Sequence, residues 1–522
     1  MRYSLVFNSY QFIFVFLPLV VASFFFMGRF SRTWALRWVI AASLVFYALW
    51  RPFNVLIITP SVFINFLLAR LLLQLRKRDK RIGARTVLLV GIAFNVAFLG
   101  YFKYANFLVG SINDAFGTTM MLSRIILPLG ISFITFQKIA FLIDVHAGRV
   151  ESFTLQDYCL FVLFFPQLIA GPIVHYREMM PQFHAISCRF DKEDTAVGLT
   201  LLAFGLFKKV FLADKIALLV TPIYEQARFG AHTALVPAWI AALGFTLQIY
   251  FDFSGYTDMA LGIARLFGIK LPPNFNSPLR ATNIIDFWLR WHMTLTRFLT
   301  AYIYNPLTLW LTRRRAVKGL PRFSLRNMGP RAFIEFLMFP VLLTMLISGI
   351  WHGAGYTFIV WGVLHGFFLV INHAWRIAEP RSWRDNPRYL SLARGAGFLI
   401  TFTCVTASMV IFRSANLKTA ADLLQGLAGL HHGVGVRGIG IKHVALWLGA
   451  GSFVALACPN TLQILSRYEP ALGWRPTPEQ ASPLAARLLW KPSFAWAVAV
   501  AAVVGLGILN LGGQSEFLYW QF

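Results

Sequence analysis

Long apolar runs separated by short polar or basic stretches mark this chain from end to end. A helix needs about 20 consecutive apolar residues to cross a bilayer. Runs of that kind fall at roughly 6–27, 36–50, 53–75, 86–102, 122–143, 156–175, 196–222, 236–253, 332–351, 355–374, 395–413, 442–458 and 494–512. The pattern predicts an all-α polytopic membrane protein with about 13 spans. Several runs are short or interrupted by Pro and Gly, and no internal repeat emerges. One stretch breaks the rhythm. Residues 254–330 mix Asp258, Arg265, Lys270, Arg280, Asp286, Arg290, His292 and Arg297 with pieces rich in Phe, Trp and Leu. Irregular polar backbone at membrane depth is tolerated only where protein or a water-filled cavity surrounds it. That stretch is therefore predicted to form re-entrant or amphipathic helices inside one membrane domain, 1–522.

Composition points the same way. Of the 522 residues, 57% are hydrophobic and 13% charged, where soluble proteins carry about 25% charged residues. The net charge of +27 would suit nucleic acid if it lay on a soluble face. Instead it gathers between apolar runs, at Arg76, Lys77, Arg78, Lys80, Arg81 and Arg85. A second cluster holds Arg313, Arg314, Arg315, Lys318, Arg322 and Arg326, and a third Arg376, Arg381, Arg384 and Arg388. Basic loops of this kind mark the cytoplasmic side of spans, so membrane lipid is the expected partner and nucleic acid is not. With loops 28–37 and 76–85 inside, the N-terminus lies outside. Counting from 313–331, 376–394 and 459–491 inside, the C-terminus lies outside as well. Val6 to Met27 lacks a strong basic leader and a small-residue cleavage site, and reads as a retained span. Cys159, Cys188, Cys404 and Cys458 stand far apart, which predicts neither a disulfide framework nor a metal site.

Against this background the stretch SGIWHGAGYTFIVWGVLHG, Ser348 to Gly366, is unusual for its two histidines, His352 and His365. Ionisable groups inside spans are costly and usually face an internal cavity. At about 3.6 residues per turn the two rings would not share one helix face. A neutral imidazole near pH 7 suits a general base for a hydroxyl nucleophile. The plainer alternative is a core histidine bonded to a backbone carbonyl. No HxxxH, HExxH or cysteine cluster accompanies the pair, so no metal is expected. A GxSxG nucleophile elbow is also missing.

The same stretch resembles the signature of the membrane-bound O-acyltransferase family. Further matching segments are YFKYANF (101–107), LPLGISFITFQKIAFLIDV (127–145), FFPQLIAGPIVHY (164–176), YFDFSGYTDMALGIARLFGI (250–269) and PNFNSPLRATNIIDFWLRWHMTL (273–295). Together they resemble the family's bacterial polysaccharide branch, typified by alginate O-acetyltransferase, over residues 5–375; residues 376–522 add C-terminal helices. The resemblance implies about 11–15 transmembrane, re-entrant and amphipathic helices around a central tunnel. It also implies acetyl-CoA as cytoplasmic donor, with no bound cofactor, and an envelope polysaccharide as acceptor. The histidine of WHG, His352, matches the family's catalytic one, and His292 of RWHM its second polar partner. His365, Asp286 and Trp351 are candidate tunnel-lining residues. After RWHMTLTRFL this chain reads TAYIYNPLTLWLTRRRA, where alginate-type sequences carry an Arg-Asp pair and a glycine-rich turn, so the polymer stays open.

The leading expectation is thus an acetyltransferase of the bacterial inner membrane. One alternative keeps the fold and changes the acyl group or acceptor, as in D-alanylation or lipid acylation. Another is a transporter, which would predict inverted repeats. The last six residues, FLYWQF, are read either as an interfacial aromatic belt or as a functional tail. The spacing FxYxxF resembles a C-terminal motif of envelope acylation systems. On that reading Tyr519 relays the acyl group to a periplasmic partner with an SGNH-hydrolase-like domain.

Overall fold

The structure, a computed structural model, describes residues 5–123, 125–319, 329–431, 440–476, 483–512 and 518. Its regular elements are helical, as a bilayer demands, because a helix satisfies its own backbone N–H and C=O groups. Among the described residues, eight helices are long and apolar enough to cross a membrane. They are Arg32–Trp50, Pro52–Lys77, Arg81–Phe116, Lys192–Arg228, Leu235–Leu266, Pro330–His352, Tyr356–Ala378 and Pro387–Arg413. Shorter apolar helices, Phe12–Gly28, Ile441–Leu456 and Phe494–Leu509, cover three more of the predicted runs. Leu56, Leu89, Ile371, Leu399 and Ile400 stay exposed on these helices. In water such side chains would invite aggregation, whereas hydrocarbon suits them.

Two predicted runs do not form spans. Among its described residues the run 122–143 becomes helical at Ile131, after Gly130 at φ +68. The resulting helix Ile131–His146 buries Phe133, Lys138, Phe141 and Asp144 alike. The run 156–175 breaks into Leu155–Leu163 and Phe165–Leu168, separated by Phe164 at φ −55, ψ 109. Pro166 favours restarting a helix at its first turn, and Gly171-Pro172 then keeps the chain extended. Residues 131–143 and most of 156–175 are apolar because protein covers them, whereas Leu122 and Ile126 stay exposed. Apolarity alone does not separate that case from lipid.

The chain forms two compact units. The first comprises Met1–Phe211, Phe253–Pro273 and Thr461–Gln521; the second is built on Leu212–Asp252 and Asn274–Asn460. In the first unit, glycines let two helical segments touch backbone to backbone. A Cβ at Gly205 would lie 2.5 Å from the Gly255 carbonyl oxygen, and one at Gly262 would lie 2.5 Å from that of Gly198. The helix predicted to end near 253 continues to Leu266 and carries Asp258 and Arg265 with it. Both charges are paired, Asp258 with Lys208 at 2.6 Å and Arg265 with Asp194 at 2.5 Å. Pairing removes much of the cost of burying them.

The second unit holds the irregular middle of the chain. Short helices Pro278–Arg280, Ile284–Arg290 and Met293–Leu299 precede the helix Asn305–Val317, whose last turn carries Arg314 and Arg315. Arg322 and Arg326 of the same basic cluster lie outside the described residues, as does Tyr519. Of the tail FLYWQF only Leu518 is described, and it is buried.

Candidate active site

His352 closes the helix Phe339–His352, and Gly353, Ala354 and Gly355 turn the chain into Tyr356–Ala378. The turn requires glycine at 353, where a Cβ would run into the ring of Phe358. The two helices then pack as a close hairpin. A Cβ at Gly362 would lie 2.5 Å from the Met345 carbonyl oxygen and 3.0 Å from Gly349 Cα. This contact fixes the buried His352 ring at the mouth of the hairpin. Aromatic rings wall it in: Trp351, Trp361 and Phe412 have centroids 5.0, 5.1 and 5.4 Å away.

The short-helix segment supplies the second imidazole. His292 is fully buried and its ring centroid lies 6.4 Å from that of His352. That distance is too wide for a direct bond between ring nitrogens. It is close enough for both rings to border one bound group. Trp351 packs beside both rings, 6.2 Å from His292.

Three bonds to one oxygen fix the state of His292. Asn274 Oδ1 accepts from the backbone N–H of Thr294 at 3.2 Å and from its hydroxyl at 2.8 Å. A backbone N–H can only donate, so the atom facing it is the amide oxygen. His292 Nδ1, 3.0 Å from the same oxygen, must therefore carry a proton and donate it. Nε2 is left with the lone pair. Residues 274–299 belong to none of the eight spans, and burial within the protein pushes the His292 imidazole below its ordinary pKa. Burial thus favours the neutral ring. Its backbone sits at φ 43, ψ 50, a left-handed conformation that costs a non-glycine residue about 1–3 kcal/mol. The bond from Met293 N–H to the Asn274 carbonyl, 2.9 Å, helps hold it there.

His365 belongs to an adjoining layer. Trp361 stands between the two rings of the WHG stretch, 5.1 Å from His352 and 4.7 Å from His365. The Ser408 hydroxyl donates to the Val405 carbonyl at 2.7 Å, so it accepts from His365 Nε2 at 2.8 Å. Trp288 packs against His365 at 5.4 Å. Asp286 pairs with Arg290 at 2.7 Å along its own helix. The structure thus gathers His292, Trp351 and His352, joins His365 through Trp361, and ties Asp286 to Arg290. Sequence reasoning missed Asn274, Ser408 and Phe412. Asn274 stood in the quoted PNFN segment, whereas Ser408 and Phe412 lie beyond residue 375 and carried no local signal. A set of groups able to hold a metal lies elsewhere in this unit, at His232, Asp422 and His431.

Two imidazoles in an aromatic, water-poor wall can move a proton on and off an oxygen between them. The comparisons with known proteins bear on the class of reaction. The family model described as MBOAT, membrane-bound O-acyltransferase family, matches residues 147–319, which include His292. A peptidoglycan O-acetyltransferase of Helicobacter pylori is 37% identical over 460 residues, 82% of this chain and 81% of its own. A probable alginate O-acetylase AlgI of Pseudomonas aeruginosa is 35% identical over 434 residues, 81% of this chain and 75% of its own. A teichoic acid D-alanyltransferase of Streptococcus thermophilus is 28% identical over 54% of this chain and 68% of its own. With two such relatives aligned across most of its length, the chain belongs to the membrane-bound O-acyltransferase family.

Proposed function

We propose that this O-acyltransferase takes an acetyl group from acetyl-CoA at the cytoplasmic face of a bacterial inner membrane and delivers it for O-acetylation of an envelope glycan. The observation that carries this reading is the juxtaposition of the buried His292 and His352 rings 6.4 Å apart. In the proposed step an acceptor hydroxyl lies between them. His352 takes its proton as the oxygen attacks the thioester carbon, and the C–S bond breaks when the tetrahedral intermediate collapses. The imidazolium returns the proton to the departing thiolate. The His292 tautomer limits its part: Nδ1 is held by Asn274 and Nε2 carries a lone pair, so the ring cannot donate to the thioester carbonyl, and with the hydroxyl proton going to His352 it acts by shaping the wall around the acceptor. Both relatives named for O-acetylation cover about four-fifths of this chain, and the D-alanyl relative covers about half, which favours acetyl over D-alanyl.

The proposal extends to the tail. Tyr519 offers a hydroxyl that would become an acetyl ester and pass the group to a serine of an SGNH-hydrolase-like periplasmic partner; Tyr519→Phe tests this, because it removes only the oxygen. For the central claim, purified protein in sealed vesicles is given labelled acetyl-CoA, and envelope peptidoglycan and exopolysaccharide are analysed by mass spectrometry with and without the gene. His352→Ala is expected to lose transfer by about 10²–10⁴-fold, the worth of a general base, while inserting normally. Full activity in a folded His352→Ala protein would overturn the assignment.

A further inference from the structure

Away from the paired rings, the second unit brings together three side chains that no sequence spacing connects. His232 lies in the turn between Asp214–Arg228 and Leu235–Leu266. Asp422 lies on the helix Leu417–Leu427, and His431 just beyond it. One ligating atom from each falls within 4.8 Å of the other two. His232 Nδ1 is 2.7 Å and His431 Nε2 is 3.5 Å from the same Asp422 Oδ1. The two imidazoles lie face to face, 4.6 Å apart and 27° from parallel. We propose that His232, Asp422 and His431 form a binding site for a divalent transition-metal ion, zinc by its ligand set, on the outer face of the membrane.

Spacing supports this. Zinc bonds nitrogen and carboxylate oxygen at about 2.0–2.2 Å, so adjacent corners of its tetrahedron lie roughly 3.3 Å apart. The three atoms straddle that spacing before any ion enters. Two imidazoles and one carboxylate favour zinc over the oxygen-seeking magnesium and calcium. The surroundings also resemble a metal site. Thr233 offers its backbone N–H and its hydroxyl to Asp422 Oδ2, both at 3.3 Å, which turns Oδ1 toward the histidines. Outer-shell bonds of this kind orient a metal-binding carboxylate. Gln425 Oε1, 2.6 Å from His431 Nε2, stands close enough to serve as a fourth ligand atom. The Asp422 and His431 side chains are 15% and 22% exposed and that of His232 is 67% exposed, so an ion can exchange with the medium.

The orientation drawn from the basic loops puts this site outside. Pro330–His352 leaves the cytoplasm, Tyr356–Ala378 returns to the basic loop, and Pro387–Arg413 leaves again, so Leu417–Leu427 follows on the outer side. An ion there would clamp the 229–234 turn to the segment that directly follows Phe412 and Arg413. The chelate would brace the outer end of the helix that carries Ser408 and Phe412.

The test uses the full chain without a histidine tag, stripped with chelator and titrated with Zn²⁺ by calorimetry and elemental analysis, then with Co²⁺ by visible spectroscopy. One tightly bound equivalent, the intense visible bands of four-coordinate cobalt, and a raised melting temperature are expected. Asp422→Asn and the double variant His232→Ala/His431→Ala should lose all three, and Thr233→Val should weaken affinity about 10–100-fold. Wild-type protein that binds no stoichiometric zinc overturns the proposal. So does an equivalent that survives in the double variant. The readouts do not depend on acyl transfer, so the wild-type titration decides even if a variant fails to fold.

Discussion

At Asn274 a single amide oxygen receives three hydrogen bonds, and one of them sets which nitrogen of His292 keeps its lone pair. Asn274 is a positioning residue on this view, because it acts through His292. Asn274→Ala would free the ring to rotate and change tautomer. Activity is expected to fall about 100-fold, as misplacement of a reacting group by about 1 Å commonly costs, with KM changing much less than kcat. Asn274→Asp supplies a more telling readout. A carboxylate on Nδ1 favours the imidazolium and raises the His292 pKa. A cationic His292 would disfavour the imidazolium that forms at His352 6.4 Å away, so the acid limb of the rate profile should move to higher pH. An unmoved profile in an active Asn274→Asp protein would reduce the contact to packing. His365 shows the opposite condition: its Nε2 proton is already bonded to Ser408 and its faces to Trp361 and Trp288, which suits a ring that supports the wall around His352.

Elements in this protein are held by close backbone approach and by caps. Gly205 faces Gly255 and Gly198 faces Gly262 with no room for a side chain. Gly205→Val would force two backbones apart, an overpacking that costs about 1–3 kcal/mol or more. The yield of monodisperse protein in detergent should drop sharply, and a normal yield would contradict the tight contact. A second device starts the helix Leu155–Leu163, where Thr154 and Asp157 form a capping box and His184 Nε2 lies 2.9 Å from Asp157 Oδ1. Burial by itself would raise the Asp157 carboxyl, but the bonds from His184 and Thr154 outweigh it and hold the pKa below its ordinary value. A depressed carboxylate adds stability that is complete above its unfolded pKa of about 3.9 and is lost as pH falls through the lower folded value. Thermal unfolding of Asp157→Asn should therefore show a lower melting temperature near neutral pH. The gap from wild type should close below about pH 4. His184 is 56% exposed, so solvent screening keeps the ionic share small, and the cap carries most of the difference.

For the whole molecule, orientation is the property with functional weight. Basic residues end both Pro52–Lys77 and Asn305–Val317; on the proposed reading each such end faces the cytoplasm and would favour the phosphates of the proposed acetyl-CoA donor. Inside-out vesicles, with the cytoplasmic face outward, should acetylate an enclosed acceptor when labelled acetyl-CoA is added to the medium. Right-side-out vesicles should remain silent. The reverse pattern would invert the topology and, with it, the assignment of His232, Asp422 and His431 to the outer face.

Much of this protein was legible along the chain, because the determining features are local. An apolar run specifies a helix, and the WHG and RWHM segments, through their family resemblance, singled out His352 and His292, whose rings the structure brings to 6.4 Å. Tertiary structure decided what depends on neighbours distant in sequence. Residues 131–143 and most of 156–175 are covered by protein, and a hydrophobic pattern reads the same whether protein or lipid is the medium. Asn274 sets the His292 tautomer through an oxygen that also binds Thr294. Phe412 and Ser408 reach His352 and His365 from a helix whose sequence gave no sign of it. The expectation of no metal site rested on ligand spacing within single segments. His232, Asp422 and His431 come together only when a turn between two helices meets a segment far along the chain, and no spacing rule spans that distance.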